Sequence, residues 1–302
     1  MTTYTFDAVL AQSQRVNWRI EDVLPTGARL DFQRPFLPES LARTQRLAFL
    51  TADERRTLNQ IRGHGYLVMF GLVEEFILPF VLDHARSRIA GDDPRIRALL
   101  QFAGEEAKHI DLFKRYRKAF ESAFGTKIDV IGPPDAIAKA VLGHEPLGVA
   151  LAILMIEWMT QRHYVEAVKD DQDLDPLMKS LLHHHWLEEA QHAKLDTLMV
   201  EALADGASAE EVRRGVDEFL AIGGFLDGGL RQQAELDLAT LERVTLRRLG
   251  DADRATLLAE QLRGLRWTFI GSGMTHPNFL DTLGRLDATE RRRVEETAKA
   301  FC

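Results

Sequence analysis

The sequence has one cysteine in 302 residues, Cys302 at its last position, so an internal disulfide framework and a thiolate metal site within one chain are both excluded. A reducing cytoplasm fits that usage. The first residues, Met1-Thr2-Thr3-Tyr4-Thr5-Phe6-Asp7, have neither the basic nor the apolar region of a signal peptide, and export is not expected. There is no Lys/Arg-rich tract: 38 basic and 46 acidic residues, net −8, are spread along the chain, which argues against a nucleic-acid partner. A long uncharged apolar run is missing as well. The most apolar stretch, 66–82, approaches the length of a membrane span but carries Glu74 and Glu75 at its centre. Charge is costly in a bilayer core, so a buried bundle helix is expected and a membrane partner is not. No strand pattern survives anywhere.

What is present is helical periodicity, in a chain of ordinary globular composition at 45% hydrophobic and 28% charged residues. Residues 1–50, with Pro25, Pro35 and Pro38, read as a short helix or two and an irregular wrap. Thr51 and Glu54 form a capping-box pattern that opens a helix running to about Ile89. Gly91-Asp92-Asp93-Pro94 ends it, and Pro94 opens a second helix through Glu106 and His109 to about Phe124. Gly132-Pro133-Pro134 breaks the chain; after Pro146 a third helix passes Ile153, Ile156, Glu157 and Tyr164 to about Asp170. Asp175-Pro176 starts a fourth that reaches about Ala204. Residues 208–302 read as further amphipathic helices, broken near Gly223-Gly224 and Thr275-His276-Pro277, with boundaries near Gly250 and Gly271.

The two halves of 51–204 form a weak repeat. Asp93-Pro94, Leu99-Leu100 and Glu106-x-x-His109 are echoed by Asp175-Pro176, Leu181-Leu182 and Glu189-x-x-His192. A Glu and a His three apart on a helix share a face and can reach one ion. With 10 histidines in the chain, roughly one such pair is expected by chance, so the weight lies on the full set. In ferritin-like carboxylate proteins two helices each give one Glu and two each give Glu-x-x-His. Here the first helix offers Glu74 or Glu75, the second Glu106 and His109, the third Glu157, and the fourth Glu189 and His192.

Two counts bear on the first helix. Glu157 precedes Pro176 by 19 residues, as Glu75 precedes Pro94, and each is followed by an aromatic, Trp158 or Phe76. The spans 74 to 106 and 157 to 189 are both 32, which favours Glu74. The first count is preferred, with Glu74 kept as the alternative. Carboxylates with imidazoles suit iron or manganese rather than zinc, and four carboxylates neutralise two divalent ions. Glu105 and Glu188, each just before a ligand Glu, are candidates to hydrogen-bond the far nitrogens of the metal-binding histidines.

The fourth helix also carries His185, four before Glu189 and seven before His192, where the first half has Phe102. This asymmetry argues against a simple iron-storage site. With four Glu and three His, the chain resembles the di-iron arylamine N-oxygenases typified by p-aminobenzoate N-oxygenase, over residues 51 to about 200. The paired Glu-x-x-His is general to ferritin-like di-iron proteins; the extra His is the feature shared with this group.

The resemblance implies iron ligands Glu75, Glu106, His109, Glu157, His185, Glu189 and His192, and oxidising chemistry drawn from Fe(II) and dioxygen with electrons supplied from outside. The position four after His109, which holds the radical tyrosine in many ribonucleotide reductase small subunits, is Phe113. The expectation is therefore an all-α, ferritin-like four-helix bundle in one domain: an N-terminal wrap (1–50), a di-iron core (51–204) and additional helices (205–302). Its expected role is a cytoplasmic di-iron monooxygenase with two Fe ions, Mn/Fe remaining open. Its partners would be a small-molecule substrate, dioxygen and an external electron donor, with homodimerisation open. A ferroxidase or iron-storage protein and a non-catalytic metal binder are the alternatives.

Overall fold

A computed structural model of the chain describes residues 4–86 and 93–302. The wrap contains three short helices, α1 (Phe6–Ser13), α2 (Ile20–Val23) and α3 (Glu39–Ala42). Four long helices follow the predicted order, with one unpredicted helix among them: α4 (Ala52–Arg86), α5 (Pro94–Phe124), α6 (Pro134–Leu142), α7 (Pro146–His163) and α8 (Pro176–Ala204). The remainder comprises α9 (Ala209–Thr245), α10 (Asp251–Arg266), α11 (Ser272–Met274), α12 (Pro277–Leu286) and α13 (Ala288–Ala298). The described residues contain no strand. Two π-helical turns, Tyr164–Val168 after α7 and Trp267–Gly271 after α10, extend those helices.

The helix starts follow the local chemistry. Thr51 and Glu54 close the predicted capping box, the Thr51 N–H donating to Glu54 at 2.7 Å and the Glu54 N–H to Thr51 Oγ1 at 3.2 Å. Asp93 and Asp175 cap α5 and α8 ahead of Pro94 and Pro176. The predicted end of the first helix at about Ile89 lies outside the described residues.

α4 pairs with α5 and α7 with α8, and the two hairpins face each other as a four-helix bundle. α1 packs on α5 and α8, while α9 lies across α4 and α7. By length and composition α4 could cross a membrane, yet 67% of its most apolar window is buried within the fold. Burying apolar faces between helices is what holds these elements together, since helix propensity alone is marginal in water. One apolar core runs from Val9 to Ala298, and a smaller one joins Leu58 and Ile61 to Leu238 and Leu257.

Two expectations are corrected. The segment after Gly132-Pro133 forms α6, and α9 runs through Gly223-Gly224 without a break. Glycine costs a helix only ~1 kcal/mol relative to alanine. The buried face Val216, Phe219, Ile222, Leu230 and Ala234 keeps helical spacing on both sides of the pair, so packing outweighs that cost. Other glycines are required by contact. A Cβ on Gly148 would lie 2.5 Å from Glu218 Cβ, and one on Gly215 would lie 2.6 Å from Leu147 Cδ2. The α7–α9 crossing is that close.

Candidate metal centre

Each long helix of the bundle carries acidic or imidazole side chains on its inner face. Glu74 on α4, Glu106 and His109 on α5, Glu157 on α7, and His185, Glu189 and His192 on α8 are all at most 2% exposed. Their atoms form two overlapping groups, Glu74–His109–His185–Glu189 and Glu106–His109–Glu189–His192, in each of which the ligand atoms lie within 4.8 Å of one another. Glu189 spans both. Its Oε1 is 3.1 Å from His109 Nδ1 and 2.7 Å from His185 Nε2, and its Oε2 is 3.3 Å from His192 Nδ1. Glu106 Oε1 lies 3.0 Å from His192 Nδ1, and Glu74 Oε1 lies 3.2 Å from His185 Nε2. Glu157 joins the cluster from α7, close enough for the charge of Glu189 to act on its carboxyl group.

Glu75 is not in this cluster, and the preferred count is corrected. It turns outward and pairs with Lys114 Nζ at 3.2 Å, a lysine whose side chain is 61% exposed. Successive helical residues point about 100° apart, so only one of two neighbouring glutamates can face the bundle axis. Aligning the halves on their prolines misled because α8 has 13 residues from Pro176 to Glu189 and α5 has 12 from Pro94 to Glu106. The 32-residue count, which runs from glutamate to glutamate within each half, pointed to Glu74.

The two Glu-x-x-His helices brace each other. His109 Nε2 donates to Glu188 Oε2 at 2.8 Å and His192 Nε2 donates to Glu105 Oε2 at 2.9 Å, so each imidazole turns Nδ1 to the cluster. Glu105 also accepts from Ser13 and from Gln101 (3.1 Å), and Glu188 accepts from Lys108. Trp18 stacks on His109 at 5.9 Å between centroids, with Lys108 Nζ 3.7 Å from the centre of its ring. The N-terminal wrap therefore closes the back of the cluster. Ser13 and Trp18 had no periodic pattern to single them out. Phe70 and Phe113 each pack on the His185 ring at 5.1 Å, so the position four after His109 offers a ring but no phenol.

The donor set fits divalent cations. Both oxygens of Glu106, Oε2 of Glu74 and Glu157, Oε1 of Glu189 and Nδ1 of His109 and His192 are buried without a hydrogen-bond partner. Burial raises the pKa of Glu157 well above the carboxylate range, and the Glu189 charge adds to it. Asp196, one turn beyond His192, is raised chiefly by burial too. Burial works against protonating His109 and His192, yet the charges of Glu74 and Glu189 and the hydrogen bonds to Glu188 and Glu105 pull their pKa values well above the ordinary range. Carboxylates that face each other in a dry interior need positive charge between them, and unpaired buried ions cost several kcal/mol each. Two divalent ions supply that charge, and oxygen with imidazole donors suits iron or manganese.

No protein-family model and no curated protein matches the chain. Among solved structures, the chain is similar to variants of R2-like ligand-binding oxidase. One with an anaerobically reconstituted Mn/Fe cofactor is 14% identical, with 88% of this chain and 92% of that chain covered and a TM-score of 0.47. Another, with a non-activated Mn/Mn cofactor, is 15% identical over the same shares, with a TM-score of 0.45. A third, with an aerobically reconstituted Fe/Fe cofactor, is 15% identical, with 87% and 92% covered and a TM-score of 0.42. This chain's own side chains form a buried carboxylate and imidazole cluster of the ferritin-like arrangement, suited to two metal ions.

Proposed function

We propose that this chain is an oxidoreductase that holds two iron ions, or one manganese and one iron, and uses dioxygen to oxidise a small organic molecule. The observation that carries the reading is the buried set Glu74, Glu106, His109, Glu157, His185, Glu189 and His192: all but Glu157 fall in the two converging groups, and all but His185 have a side-chain atom without a hydrogen-bond partner. Bound metal would supply the redox chemistry and the binding of dioxygen. The protein's own part is positional. Glu189 offers one oxygen to each half of the cluster, and Glu188 and Glu105 fix the tautomers of His109 and His192. Phe70, Phe113 and Trp18 keep water from the imidazoles. N-oxygenation of an arylamine, as a monooxygenase fed by an external electron donor, is the finer reading and rests on His185 as a third histidine.

The test is elemental analysis after anaerobic loading with Fe(II), followed by oxygen uptake. About two irons per chain and consumption of dioxygen are expected. Many irons per chain with mineral formation would make it a storage protein. Two irons without oxygen uptake would make it a non-catalytic metal binder.

A further inference from the structure

A cavity of about 450 Å³ lies beside the metal cluster, walled by α4, α6, α7, α9 and Phe269. Its outer end is formed by exposed residues of α9, Phe225 and Gln232, and its inner end by Phe70, which is 2% exposed. Phe70 is the shared wall, because the same ring sits 5.1 Å from the ring of His185. Val73 and Ile156, also in the wall, directly precede Glu74 and Glu157. The cavity thus leads from the surface to the edge of the cluster.

Its lining decides what can enter. None of the eighteen lining residues is Lys, Arg, His, Asp or Glu, and the one polar side chain, Gln232, is at the exposed end. A carboxylate or phosphate moving inward would lose its hydration and meet no cation, which costs far more than the apolar contacts of one ring return. A neutral ring loses little hydration and gains contact with Met69, Ile156, Met159 and Leu230. The volume falls in the ordinary range of small-molecule sites.

We infer that this cavity is the substrate site and that it selects an uncharged, apolar molecule, such as an arylamine without a carboxylate, over an anionic one. The inference rests on the function proposed above. It departs from the carboxylated amine that typifies the resembling enzymes. The wall supplied by α9 also gives the helices beyond the bundle a role in selecting substrate.

The experiment is fluorescence titration of the full-length, iron-loaded protein under argon with β-naphthylamine and with its ring-carboxylated analogue, iron content being measured on the same sample. The neutral amine should bind with a Kd at least roughly tenfold lower than the anion, a difference of about 1.4 kcal/mol. Ile137→Trp and Leu226→Trp, which fill the cavity from partly buried positions on α6 and α9 away from the ligands, should each weaken that binding with iron content unchanged. Equal or tighter binding of the anion, or neutral binding that neither tryptophan weakens, would overturn the inference while two bound irons leave the metal reading standing. Selective neutral binding by a protein that takes up no iron would support the cavity assignment and overturn the metal reading.

Discussion

Glu105 on α5 accepts a hydrogen bond from His192 on α8 at 2.9 Å, so the carboxylate beside Glu106 on one helix positions an imidazole of the other. The reverse bond, His109 to Glu188 at 2.8 Å, completes a crossed pair. Burial opposes ionisation of Glu105, yet the hydrogen bond from His192 and its charge hold the pKa below the usual range. Both bonds leave Nδ1 free for metal. Glu105→Ala or Glu188→Ala should lower metal affinity by roughly 10–100-fold, measured by competition with a chelator. Unchanged iron retention in both variants would remove this role.

Glu74→Ala and Glu75→Ala separate adjacent positions with opposite surroundings. Glu74 is 2% exposed within the cluster, whereas Glu75 pairs with an exposed lysine. Glu74→Ala should reduce iron to about one per chain or less, since each ion draws on few protein ligands. Glu75→Ala should retain the full complement and change stability by less than ~1 kcal/mol. Iron content of the two purified variants decides between the glutamates.

Glycines of α9 and its partner should respond to alanine with opposite signs. Gly148→Ala places a Cβ against α9, 3.1 Å from the Gly215 carbonyl as well as against Glu218, and forcing the crossing apart should cost ~1–3 kcal/mol. At Gly223 an added Cβ meets nothing within 4 Å, so Gly223→Ala should be neutral or stabilising by up to ~1 kcal/mol. Melting temperatures that move in the same direction would contradict the described α7–α9 packing.

Acid sensitivity is expected from histidines buried neutral. Burial pushes His163 down to about 3, with the Arg162 charge adding to it, while its ring bonds Tyr66 and Ser272 at 3.0 Å. Burial and the Arg117 charge take His64 down to about 4. In the unfolded chain each titrates near 6.5. Below that pH the unfolded state takes up a proton that the folded state refuses. Stability therefore falls as pH drops from about 6.5 towards 3–4, at about 1.4 kcal/mol per pH unit for each group, and the loss levels off below the folded pKa. Urea denaturation between pH 7 and 4 should show a shallower fall for His163→Gln than for the unmodified chain. Parallel slopes would mean that His163 is not held neutral.

Much of the fold was legible because its signals are local. Pro94 and Pro176 behind capping aspartates, the Thr51–Glu54 capping box and helical periodicity depend on residues a few positions apart, so the four long helices could be placed from sequence. Glu106, His109, Glu189 and His192 were legible for the same reason, since three-residue spacing puts Glu and His on one face whatever surrounds the helix. What lay beyond the sequence is rotational and long-range. Whether Glu74 or Glu75 faces inward depends on how α4 is turned against α5 and α8, and an alignment on prolines slips by one residue. Gly223-Gly224 read as a break because the apolar contacts that keep α9 helical come from other helices. Ser13 and Trp18 join the centre only when the wrap folds back over α5 and α8. The apolar cavity exists only where α9 crosses the bundle, because residues far apart in the chain enclose a volume only after the helices have packed.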